Sequence, residues 1–223
     1  MRRLTDDTPV RRIEILGPEE CRDVVERLDG LEGEWRRRGD AFFTLGAATY
    51  LDVCAGGSYG NYRKKAEHDN RLLVEAFGDL LVAVRDAVAD LVGGRCEYAP
   101  ELARPGFHVF LARSLHATLR DGFHLDLQFR DLPVPATAYT ATLTFTLPVE
   151  LPLAGGGIEF CRLDAGDKRG RVSAEWYRLG ELLVHSGRTL HRRAEVPSSP
   201  RCRRITLQGH ALCVEGDKWI LYW

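Results

Sequence analysis

The texture of the chain beyond residue 95 constrains the fold most strongly. Short alternating or β-rich segments follow one another at 107–112, 123–129, 139–147, 157–162, 172–178, 181–185, 189–196, 203–214 and 218–222. Turn formers separate them: Pro105-Gly106, Asp121-Gly122, Pro133 to Pro135, Pro148, Pro152, Gly155 to Gly157, Gly166, Gly170, Gly180, Gly187, Pro197 to Pro200 and Gly216. Strand side chains alternate between the two faces of a sheet, so each segment has one face to bury. Many short strands at regular spacing solve that problem as a sandwich or a jelly roll.

The first part of the chain reads differently. Residues 9–16 predict a short strand. Gly17-Pro18-Glu19-Glu20 opens a helix, with proline in the first turn and acids near the positive end of the dipole. Cys21, Val24, Val25 and Leu28 have helical spacing, and Gly30 and Gly33 end the run. Trp35-Arg36-Arg37-Arg38 reads as a solvated surface turn. Residues 41–53 predict a strand or an ordered loop. The glycine-rich stretch 55–61 lacks the pattern of a phosphate-binding loop and reads as a mobile loop or lid. Residues 66–92 predict the longest helix, whose stripe includes Leu72, Leu73, Leu80, Val84 and Val88, stopped by Gly93-Gly94. The expectation is one α+β domain over 1–223. Residues 1–94 give helical support and a possible lid, and 95–223 a jelly-roll (double-stranded β-helix, cupin-like) core.

Bulk properties narrow the partners. The 223 residues are 44% hydrophobic and 28% charged, which suits a globular chain with a full core. A net charge of -1 offers no general attraction to nucleic acid or an acidic membrane. The six cysteines form no Cys-x-x-Cys pair, so reduced thiols are expected rather than a zinc knuckle or disulfide staples. Basic residues near Met1 precede no apolar run, and no stretch is long enough to span a bilayer. The expectation is a cytoplasmic protein without nucleic-acid or membrane partners; the oligomeric state stays open.

Within the β-rich part, Phe123-His124-Leu125-Asp126-Leu127-Gln128-Phe129 alternates apolar and polar residues. As a strand it projects His124 and Asp126 from one face, with Gln128 beyond them. An imidazole and a carboxylate side by side supply two thirds of a metal site. A second histidine far along the chain would complete two histidines and a carboxylate on one face of a metal, a donor set that leaves open positions on Fe(II). His191 and His185 are the candidates. His108, His116, His210 and His68 carry no ligand pattern and read as surface or satisfied core histidines.

The ordered set of motifs resembles the Fe(II)/2-oxoglutarate-dependent dioxygenases, with the prolyl-4-hydroxylase-like branch closest. It comprises His124-x-Asp126, Gly155-Gly156-Gly157-Ile158-Glu159-Phe160, Gly180-Glu181-Leu182-Leu183-Val184-His185, His191 and Arg204-Ile205-Thr206-Leu207. The early helix at Pro18-Glu19-Glu20-Cys21 suits the support that branch carries before its roll. The resemblance implies His124, Asp126 and His191 as catalytic metal ligands, because its distal histidine lies beyond a turn, here Ser186-Gly187-Arg188. It implies Arg204 and Thr206 as the holders of the distal carboxylate of 2-oxoglutarate, a task suited to a planar guanidinium. Arg201 and Arg203 are neighbours that could take that role, although Arg203 would face away from Arg204 on a regular strand.

The implied cofactors are Fe(II), 2-oxoglutarate and dioxygen. The implied reaction is hydroxylation, or a related desaturation or ring formation, coupled to conversion of 2-oxoglutarate to succinate and carbon dioxide. Asp126 sets this chain apart from halogenating relatives, which lack that carboxylate. The chain's compactness suits a small-molecule substrate such as an amino acid or biosynthetic intermediate. Gln128 and Arg188 are candidate substrate contacts, Arg113 and Arg130 weaker ones. The alternatives are a peptidyl or prolyl hydroxylase, a cupin-like metalloprotein that does not use 2-oxoglutarate, and a jelly-roll binding module with an accidental His124-x-Asp126.

Overall fold

The computed structural model describes residues 10–111, 122–134, 140–153, 155–162, 170–194 and 203–223. The elements run β1 (Val10–Glu14), α1 (Pro18–Asp29), β2 (Arg36–Arg37), β3 (Phe42–Leu45), α2 (Thr49–Asp52), α3 (Tyr59–Val92), β4 (Arg95–Tyr98), β5 (Gly106–Phe110), β6 (Thr142–Glu150), β7 (Gly157–Arg162), β8 (Arg171–Trp176), β9 (Glu181–Ser186), β10 (His191–Arg193), β11 (Arg204–Glu215) and β12 (Lys218–Tyr222). They form two sheets. The larger runs β1-β9-β6-β11-β5-β3-β2, with β12 also on β11 and β4 on β12; the smaller runs β10-β7-β8. This is the α+β jelly roll with N-terminal supporting helices that the sequence predicts.

The large sheet has two different faces. Outward it presents Phe107, Val109, Phe145, Leu147, Ile205 and Leu207, which pack with Leu73, Phe77, Leu81, Val84 and Val88 of α3 and Val24 and Leu28 of α1. Each such side chain contributes about 1.5–3 kcal/mol when fully buried, so this layer is the principal source of stability. The inward face is polar. Along β11 the period of two places Arg204, Thr206, Gln208 and His210 there. Their cross-strand neighbours His108 on β5 and Thr144 and Thr146 on β6 join them. Thr144 in turn pairs with His185 on β9.

The helices obey local rules. Pro18 occupies the first turn of α1, and the Gly17 N–H donates to the Glu20 carboxylate at 2.6 Å. Helix α3 starts seven residues before its predicted position, with Ser58 accepting from the Asn61 N–H at 3.3 Å. Tyr59, Gly60 and Asn61 thus belong to its first turn, not to the loop. The helix kinks at Phe77, whose φ of -137° is not helical. Close approach explains one glycine of the roll. A Cβ on Gly106 would lie 2.3 Å from the Trp223 ring and 2.5 Å from the Leu45 carbonyl oxygen.

Three expectations need correction. The run 123–129 is not a strand. His124 makes one isolated bridge to His191, and Gln128–Asp131 forms a 3-10 turn. Past Asp126 the neighbouring chain is the turn at Gly187, which accepts the Asp126 N–H at 2.8 Å and offers no further ladder. The backbone curls instead and buries Phe129 beside Tyr62 and Tyr222. Of the run Trp35 to Arg38, Arg37 is exposed as expected, but Arg36 and Arg38 are not solvated. Arg36 pairs through two hydrogen bonds with the buried Asp69, and Arg38 donates to both oxygens of Asp52 at 2.9 and 2.7 Å. Pro148 does not end a strand: β6 runs through it to Glu150, with a register irregularity opposite Ile205 and Thr206. Strand β4, parallel to β12, has no counterpart in the sequence reading. Cys21, Cys54, Cys96, Cys161 and Cys213 are free thiols, as expected, and Cys202 lies outside the described residues. No described helix is long and apolar enough to cross a membrane.

Candidate metal centre

The bridge between His124 and His191 ties the segment around His124 to the small sheet through β10. The two residues exchange both backbone hydrogen bonds, His124 N–H to His191 at 2.9 Å and His191 N–H to His124 at 3.0 Å. Antiparallel pairing at this one position brings together imidazoles that stand 67 residues apart in the chain. Their ring centroids are 4.5 Å apart. Asp126, two residues on, is anchored through its own N–H and turns its carboxylate to the same point. One ligand atom from each of His124, Asp126 and His191 lies within 4.8 Å of the others.

The donor set fits a divalent metal on a structural observation. His124 Nδ1 lies 2.9 Å from the Gly122 carbonyl oxygen, and His191 Nδ1 lies 2.7 Å from that of Thr189. Each Nδ1–H donates to a backbone carbonyl, which leaves Nε2 to face Asp126, and that atom binds a metal once its proton is released. His191 Nε2 is 3.2 Å from Asp126 Oδ2, and His124 Nε2 is 3.9 Å from Oδ1. Burial raises the Asp126 carboxyl, but the hydrogen bond and the charge of His191 outweigh it and hold it below the usual range. The Asp126 carboxylate is therefore ionised. Burial pulls His191 down, and its hydrogen bond to Asp126 lifts it above 6.5. His124 is half exposed and marks the open side of the site.

His185 stands beside this cluster without joining it. Its ring is 4.5 Å from that of His191, and its Nδ1 is 2.9 Å from the Ser186 carbonyl oxygen. Complete burial, with the like charge of His191, pulls its pKa down to about 3, so it is neutral. Between the two candidates for the distal histidine, the geometry favours His191.

Arg204 points inward from the opposite end of the same interior face. It is 3% exposed, and its guanidinium lies over the Phe110 ring at 4.4 Å. Gly156 gives it room: a Cβ there would be 3.3 Å from Arg204 Cδ and 3.5 Å from Tyr177. Thr206 is completely buried on the same face. Arg203 turns away, to the carboxylates of Glu150 at 2.6 Å and Asp29 at 2.7 Å. It is thus an ion-pair partner of α1, and Arg201 lies outside the described residues.

The remaining candidates divide. Gln128 Nε2 lies 2.8 Å from His210 Nε2, inside the site. Arg188 donates from Nη2 to the Thr140 carbonyl oxygen at 2.9 Å. Arg130 is exposed; Arg113 and His116 lie outside the described residues. His68 is a surface residue near Glu34. Two histidines passed over in the sequence line the interior. His108 Nε2 is 2.7 Å from the Tyr50 hydroxyl, and His210 Nδ1 is 3.1 Å from Thr144 Oγ1. Their strand positions relative to Arg204 and Thr206 carried the signal: His210 shares their alternation on β11, and His108 lies directly across from Thr206.

No protein-family model matches the sequence, and no curated protein matches it. Solved structures do. An N-substituted L-amino acid dioxygenase from Burkholderia ambifaria, in complex with alpha-ketoglutarate, superposes with a TM-score of 0.56 at 15% identity, over 98% of this chain and 87% of that one. The non-haem alpha-ketoglutarate-dependent epimerase SnoN of nogalamycin biosynthesis gives 0.51 at 16% identity, over 96% and 93%. The chain has the fold of these alpha-ketoglutarate-dependent enzymes. At such identities the likeness concerns the fold, and the chemistry has to be argued from the residues.

Proposed function

We propose that the protein is a non-haem Fe(II)/2-oxoglutarate-dependent oxygenase that hydroxylates a small molecule. The observation that carries this reading is the convergence of two backbone-tethered imidazoles and one buried, ionised carboxylate in a jelly roll. His124, Asp126 and His191 would hold the iron, and Arg204 with Thr206 would hold the distal carboxylate of 2-oxoglutarate. Bound iron, co-substrate and dioxygen would supply the oxidation of an unactivated C–H bond.

The chain's own residues do the rest. Gly122 and Thr189 fix the imidazole tautomers through their carbonyls. The buried Arg204 draws a carboxylate into a site where a charge-assisted, two-pronged hydrogen bond is strong. The small sheet, with Phe160 packed against both His185 and His191, walls the centre from water on that side. Substrate enters from the open side of His124. An amino acid or a biosynthetic intermediate is the first substrate class to assay. The ordered motifs resemble those of the prolyl-4-hydroxylase-like branch, so a peptidyl substrate is the second case to assay. Free thiols suit a reducing, cytoplasmic setting.

The test is an anaerobic titration of 2-oxoglutarate into the Fe(II)-loaded protein, followed by the visible charge-transfer band of the chelate. A band in the wild type that is lost in His191→Ala is the expected result. Bound iron without a band would favour a cupin-like metalloprotein, and no iron uptake would leave a binding module.

A further inference from the structure

The inward face of the large sheet carries a chain of hydrogen bonds that ends on Asp126. Gln128 Nε2 is 2.8 Å from His210 Nε2, His210 Nδ1 is 3.1 Å from Thr144 Oγ1, and Thr144 Oγ1 is 2.5 Å from Asp126 Oδ2. The chemistry of the groups orders these contacts. An amide nitrogen only donates, so His210 Nε2 accepts. A neutral imidazole then carries its proton on Nδ1 and donates it to Thr144. The single hydroxyl proton of Thr144 is left for the carboxylate. Each member has one role compatible with both neighbours, and all donation runs towards Asp126.

The scaffold sets these distances. His210 and Thr144 are direct cross-strand partners on β11 and β6, so backbone pairing fixes their spacing. They are 6% and 7% exposed, which keeps water from competing. Burial pulls the His210 pKa below 6.5, in keeping with the neutral imidazole that the chain requires. A buried polar group placed this way acts on its neighbour with little reorganisation.

We infer that Gln128, His210 and Thr144 form a one-way hydrogen-bond relay that fixes the orientation of the Asp126 carboxylate, which makes Thr144 and His210 positioning residues of the metal centre. The inference rests on the metal site proposed above and adds what aims its carboxylate. It also gives Gln128 a structural task, with its amide nitrogen engaged inside the protein.

Co(II) binding to the whole protein, followed by its visible absorption, is the first measurement. Thr144→Val keeps the side-chain shape and removes the donor; it should weaken Co(II) binding by about 10- to 100-fold, the usual effect of removing a hydrogen bond to a metal ligand. Thr144→Ser restores the hydroxyl and should return affinity close to the wild-type value, with far-UV circular dichroism unchanged in both variants. Equal affinity in the wild type and Thr144→Val overturns the relay while leaving the metal site standing. A wild type that takes up no Co(II) overturns the metal site and the relay together, so the two failures are distinguishable. Long-range proton–nitrogen correlation spectra of the metal-free protein give a second readout. The Nδ1–H tautomer at His210 is expected; the Nε2–H tautomer at neutral pH would reverse the direction of donation and overturn the relay.

Discussion

Asp52 offers a quantitative test of how the fold ties α2 to Arg38 and to α3. Its side chain is 1% exposed and accepts from Arg38 through both oxygens, from Lys65 at 2.6 Å and from the Ala48 N–H at 2.9 Å. Burial raises its carboxyl, but these donors outweigh burial and lower the pKa from 3.8 to about 2. A depressed folded-state value means stability that is complete above the unfolded pKa and is lost as pH falls through the folded one. A shift of this size corresponds to about 2 kcal/mol at neutral pH, of which roughly half survives at pH 3.

Asp52→Asn removes the charge and turns an amide towards Arg38, leaving a guanidinium that is mostly buried without its partner. The expected cost at pH 7 is about 3–4 kcal/mol, in the range for breaking one half of a buried pair. Urea unfolding followed by far-UV circular dichroism measures it, for wild type and variant, at pH 7 and about pH 3. The gap between the two proteins should narrow by about 1 kcal/mol at the lower pH. A gap that is the same at both pH values would refute the linkage argument. A gap below about 0.5 kcal/mol at pH 7 would show that the ion pair contributes no more than an exposed one. Because α2 also carries Tyr50 to His108 at 2.7 Å, the same variant should disturb the barrel interior.

Other predictions follow from the same geometry. Arg204→Met should raise the dissociation constant for 2-oxoglutarate by about 100-fold or more, and Arg203→Met should leave it nearly unchanged, because only Arg204 faces the interior; isothermal titration separates them. Arg203→Met should instead cost about 1 kcal/mol of stability through its partly exposed pairs with Asp29 and Glu150, read by chemical denaturation. Gly106→Ala should destabilise by about 2–3 kcal/mol, since the new Cβ meets both the Trp223 ring and the Leu45 carbonyl; a thermal midpoint equal to the wild type would show that the Trp223 ring yields.

The sequence by itself determined the class of fold, because alternation and turn residues are local signals. The opposite faces of Arg204 and Arg203 were legible in the same way: a strand's period of two assigns faces before any partner is known. The start of α3, about two turns before its predicted position, and the kink at Phe77 were less legible, since capping by Ser58 and packing set them.

Only the tertiary structure decided the site. The alternation of 123–129 predicted a strand, yet a strand needs a partner beyond its first bridge, and the turn at Gly187 supplies none. His191 stands apart from His185 because of where the turn at 187–190 returns the chain, a long-range matter. The basic run Arg36 to Arg38 looked like surface because its counter-ions, Asp52 and Asp69, lie 14 to 33 residues away. Histidines 108 and 210 looked idle for the same reason: a side chain's task depends on neighbours that only the folded sheet brings within hydrogen-bonding distance.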